Sequence, residues 1–102
     1  MQYTPALLSS ASNHLQKIFG VEVRHTKSQE ELLYQLADVV GHLLQHNLPR
    51  LLHILYRVDV DERKVKEALA ADSEEVIAER ITRLIIKREL QKAQLRFKYS
   101  NN

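Results

Sequence analysis

The stretch Asp72–Phe97, DSEEVIAERITRLIIKRELQKAQLRF, decides the fold. It contains neither Gly nor Pro, begins acidic and ends basic, as a single long helix with a favourable dipole does. Asp72 reads as the N-cap and Glu75 as the N3 carboxylate of a capping box, which predicts a helix from about 73 to 97. With residues placed at about 100° intervals, Ile77, Ile81, Leu84 and Ile85 fall on one side, and Ile86, Leu90, Ala93 and Phe97 on nearly the opposite side. A helix on the surface of a small monomer needs one apolar stripe. The second stripe predicts a second cover, either the N-terminal helix or another subunit. The expectation taken forward is that Ile86, Leu90, Ala93 and Phe97 form the interaction interface of a homo-oligomer.

Upstream of this helix the same periodicity recurs. Thr4 is placed to cap and Pro5 to open a first helix, whose apolar face is Leu7, Ala11, Leu15 and Ile18, with Gly20 as its stop. Val21–His25 reads as a linker packed by its two valines. Ser28 and Glu31 fit a capping box for a second helix over 29–46. Its broad apolar face, from Leu32 to Leu44, marks it as the expected central helix. Pro49 suits the first turn of a third helix carrying Leu51, Leu52, Ile54, Leu55 and Val58. Asp59 with Glu62 predicts the start of a short fourth helix, which buries Val65, Ala68 and Leu69. The expected core includes Leu36, Leu43, Leu51, Leu55, Ile81 and Leu84.

Composition agrees. In 102 residues there are 2 Gly and 2 Pro, too few for a fold of tight hairpins. The fold class is therefore all-α: a compact four- to five-helix bundle-like domain with a long C-terminal helix. One domain spans 1–102, with an N-terminal helix and linker over 1–27, a helical core over 28–97 and a frayed C-terminus over 98–102. The absence of Cys excludes disulfides, thiolate metal sites and cysteine nucleophiles. Met1–Phe19 has neither the basic start nor the unbroken apolar run of a signal peptide, and no segment has the length of a membrane span. The expected location is the cytoplasm of a bacterium-like cell, with no membrane partner.

The search for chemistry returns little. His42 and His46 are four apart on one face, a spacing at which two imidazoles can share a metal. They share that face with Gln35, Asp38 and Gln45, which reads as a solvated surface, so no metal site is assigned. Asp59–Asp61 has Lys64 and Ala70 where a calcium loop needs Gly and Glu. Ser9, Ser10 and Ser12 cluster without a nucleophile elbow, and no glycine-rich phosphate loop exists. No catalytic residue, no cofactor and no enzyme activity is expected.

The net charge is +2, but it is unevenly spread: 59–79 is acidic and 80–102 is basic. Arg50 and Arg57 on the third helix, with Arg83, Lys87, Arg88 and Lys92 on the last, are the candidate anion contacts. A basic helix edge can follow phosphates, so a nucleic-acid-associated accessory protein is the alternative reading. The acidic stretch offers the same cations an internal partner. An acidic start, Asp61–Glu62, also spoils the fourth helix as a recognition helix.

The runs Leu51–Val60 (LLHILYRVDV), Lys64–Lys66 (KVK) and Ile85–Lys92 (IIKRELQK) resemble those of a group of small bacterial all-α proteins of unassigned activity. The likeness covers about 50–97. It implies a short helical protein with a Tyr-Arg-x-Asp-Val turn between two helices, and carries over no binding or catalytic residue. The leading expectation is a non-enzymatic interaction or structural protein that self-associates, with a further protein partner left open.

Overall fold

In the computed structural model of the chain, which describes residues 4–24 and 28–100, five helices follow one another: α1 (Pro5–Phe19), α2 (Gln29–His46), α3 (Leu48–Val58), α4 (Glu62–Leu69) and α5 (Glu74–Ser100). There is no strand among the described residues. The fold is all-α, built along one long C-terminal helix.

The helix ends are set by side chains that satisfy orphan backbone groups. Thr4 accepts from the Leu7 N–H, Ser28 from Glu31 and Asn47 from Arg50. Pro5 and Pro49 occupy first turns. Gly20 closes α1 at φ 68°, and a Cβ there would come within 3.2 Å of the Arg50 guanidinium. Two predicted caps move by one or two residues. Asp59 is not the N-cap of α4 but the left-handed C-cap of α3, at φ 68°, a conformation that Asp tolerates better than most residues. Asp61 takes over the N-cap by accepting from Arg63. At the start of α5 the Ser73 hydroxyl accepts from Val76, so Ser73 stands where Asp72 was expected. The last helix also continues through Lys98 and Tyr99 to Ser100 instead of fraying after 97.

The segment after Gly20 is a packed linker, as its valines suggest. Val21 and Val23 are half-buried against the core. Gln16 accepts from the Val23 N–H, while Gln35 both accepts from the Arg24 N–H and donates to its carbonyl. His25 lies outside the described residues.

The central helix is α5, not α2. It packs against all four others. Both α1 and α2 run antiparallel to it, one after the other along its length. Gln45 bonds Glu74 and Glu30 pairs with Arg83, so α2 covers the first half. His14 bonds Glu89 and Ser10 meets Arg96, so α1 covers the second half. This relay explains the two offset stripes. Ile81 and Ile85 are buried, and so are Ile86, Leu90 and Ala93. They form the two margins of one broad buried arc whose middle holds Ala78, Thr82 and Glu89. Of the expected core, Leu36, Leu43, Leu51, Leu55 and Ile81 are buried and Leu84 is half-buried.

Candidate functional site

The proposed oligomer contact is the first expectation to change. Leu90 and Ala93 are 0% exposed and Ile86 is 5% exposed within a single chain. Their cover is α1 together with the start of α2. Ile86 and Leu90 lie beside Gln29 and Leu33, at the junction of the two covering helices. The physical reason is length: α5 spans 27 residues, too long for one partner helix, and α1 is supplied by the same chain. Of that stripe only Phe97 remains exposed.

Exposed apolar surface lies elsewhere. On α3, Leu48, Leu52 and Tyr56 repeat every fourth residue, with Tyr56 83% exposed, while Leu51, Leu55 and Val58 turn into the core. A row at i, i+4 and i+8 makes one ridge. His53 and Arg57 lie beside it, and α3 contains no carboxylate. Among the described residues Arg57 makes no hydrogen bond or ion pair. The ridge is therefore apolar with a basic flank.

A groove of opposite character runs between α2 and the first half of α5, with a volume of about 730 Å³. Its floor is made of small or apolar residues: Leu33, Ala37, Gly41 and Ala78. Its rim carries Glu30, Asp38, Glu74, Glu75 and Glu79. Arg83 is the cation within it, and it is already bonded to Glu79 and Glu30. The hydrogen bond that Arg83 donates to Glu79 is the largest cause raising its pKa above the ordinary value; desolvation comes next and opposes it, and the nearby Glu30 charge adds to the rise. Arg83 thus ties the α5 wall to the α2 wall at this end of the groove. The remaining carboxylates face solvent. Tyr34, exposed, stands at the edge.

The candidate anion contacts are not one surface. The Arg50 guanidinium donates to the Phe19 carbonyl at 2.9 Å, closing the end of α1. Arg88 donates to the Asp59 carbonyl and side chain, and Lys92 to the Val58 carbonyl, so both close the end of α3. Cations at helix C-termini satisfy carbonyls and oppose the negative end of the dipole. Arg83 belongs to the acidic groove. Arg57 and Lys87 stand apart, on α3 and α5. A ligand that tracked phosphates along these six would have to displace four of them from internal partners.

His42 and His46 lie with ring centroids 4.6 Å apart on the exposed side of α2. Among the described residues no group of three or more His, Asp or Glu converges as metal ligands. One pairing was not foreseen. Glu89 is 0% exposed, its Oε2 lies 2.6 Å from His14 Nδ1, and its Oε1 lies 3.4 Å from Lys92 Nζ. The signal was present, since Glu89 falls between the two apolar stripes of α5. A carboxylate there is either exposed by a gap between two covers or buried with partners.

No helix among the described residues is long and apolar enough to cross a membrane. The chain matches no protein-family model, no curated protein and no solved structure. Its fold is an all-α bundle around a long terminal helix.

Proposed function

We propose that this is a non-enzymatic interaction protein of the bacterial cytoplasm that self-associates, the α3 ridge of one copy entering the α2–α5 groove of the next. The observation that carries it is the exposed row Leu48, Leu52 and Tyr56 on a helix with a basic flank and no acid. An exposed apolar ridge of this kind is costly in water unless something covers it. The groove offers an apolar floor for the leucine and tyrosine side chains and a rim of carboxylates for His53 and Arg57.

Pairing ridge to ridge is disfavoured, because a symmetric contact would set the basic flanks of two α3 helices against each other. Ridge to groove is a heterologous contact, which repeats from copy to copy.

Light scattering on charge-reversed variants tests the reading. Arg57→Glu and the pair Glu74→Lys with Glu75→Lys should each reduce association, and mixing the two variants should restore it. Variants that associate as the parent does, singly and mixed, would remove the proposal.

A further inference from the structure

Ser9 and Ser10 have no part in the association surfaces, and neither do His14 and Glu89. All four converge where the outer side of α1 meets the end of α5. An open cleft of about 640 Å³ there is lined by Ser9, Ser10, Asn13, His14, Lys17 and Arg96. The geometry points to this cleft as a binding site for a phosphate group, carried either as free orthophosphate or as a small phosphate monoester.

Charge is the first ground. α1 contains no Asp or Glu, and between Arg80 and Ser100 the single carboxylate is Glu89. Glu89 is not part of the cleft surface. It sits behind it, fully buried, with His14 on one oxygen and Lys92 near the other. Its two oxygens are thus taken up by the His14 hydrogen bond on one side and the Lys92 ammonium on the other. Lys17 and Arg96 then face the cleft with no acid beside them. Lys17 makes no hydrogen bond or ion pair among the described residues.

The second ground is the fixing of His14. A carboxylate only accepts hydrogen bonds, so Nδ1 carries the proton and donates it to Glu89 at 2.6 Å. The ring is held in one orientation and one tautomeric preference by a buried group, the arrangement by which a carboxylate positions a histidine for work at its other nitrogen. His14 remains 39% exposed, and among the described residues its Nε2 makes no hydrogen bond. Arg96 contacts the Ser10 hydroxyl at 3.4 Å, a long contact that holds the guanidinium over α1 while leaving donors free. A fork of guanidinium donors, an ammonium and serine hydroxyls together suit the oxygens of a phosphate, while the bare Nε2 of His14 can accept the O–H of hydrogen phosphate or of a monoester monoanion. Glu89 is a positioning residue in this site and does not touch the ligand.

The test titrates the whole chain with inorganic phosphate and, separately, with glycerol phosphate at matched ionic strength, followed by amide and histidine-ring nitrogen spectra. The expected result is saturable shifts confined to 9–17 and 89–96. Arg96→Gln and Lys17→Gln should each weaken binding by about tenfold, while Lys66→Gln on the exposed side of α4 leaves it unchanged. The tighter of the two ligands identifies the form carried. Glu89→Gln should change the His14 ring signals and weaken binding without moving the Lys17 contribution; if that variant does not fold, the exposed Arg96 decides. A failure to saturate with either ligand would overturn the site. So would shifts spread over all basic helices that fall equally in Lys66→Gln.

Discussion

Gly41 on α2 faces Ala78 on α5: a Cβ placed there would meet the Ala78 Cβ at 3.7 Å, an ordinary contact. Its position is mid-helix and needs no positive φ, so Gly41→Ala should raise stability by about 0.5–1 kcal/mol through helix propensity. A denaturation midpoint lower than the parent's would show the approach to be tighter than that distance. The opposite sign belongs to His14→Ala, which leaves buried Glu89 with Lys92 alone. Loss of a partner to a buried acceptor costs about 1–3 kcal/mol, so urea unfolding should shift by that amount. Replacing both by apolar residues, His14→Leu with Glu89→Leu, should recover most of it. If the double variant is as weak as the single, the pair does more than satisfy itself. At this scale the sequence is partly legible. Thr4, Gly20 and Ser28 announce their roles because a cap is a local contact. Glu89 does not, because its partner is 75 positions away on α1.

Elements were legible where one helix decided the matter, and illegible where two did. The limits of α1, α2 and α3 follow from proline, glycine and cap residues that act within a turn. Asp59 misleads because Asp suits both an N-cap and a left-handed C-cap, and only the packing of α3 on α5 chooses between them. The second stripe of α5 misleads for a related reason. Periodicity tells that Ile86, Leu90 and Ala93 are covered, but not by which chain. With α1 as the cover, Leu90→Glu should abolish cooperative folding instead of merely separating subunits, because it places a charge at a 0% exposed position. Leu15→Ala, on the opposing face of α1, should cost about 2–5 kcal/mol in thermal or chemical unfolding. A Leu90→Glu protein that stays folded with the parent's helix signal would return the stripe to the role of an oligomer contact.

For the whole molecule, helicity and a single core could be read from composition and pattern, whereas the surfaces could not. From sequence the basic residues of the third and last helices read as anion contacts, yet Arg50, Arg88 and Lys92 close helix ends far away in the chain. Facing outward, the α3 ridge and the acidic groove lie on different elements and are of complementary charge. A contact between them depends on both apolar burial and charge, so it should weaken as salt is raised toward 1 M, where the screening length falls to about 3 Å. Sedimentation velocity over a concentration series is the most direct test, with the parent chain and Leu52→Glu run side by side. The account predicts a weight-average coefficient for the parent that climbs with concentration without levelling at a dimer, and a Leu52→Glu protein that stays monomeric and fully helical. A parent that remains a single monomeric species across the series, indistinguishable from Leu52→Glu, would contradict it.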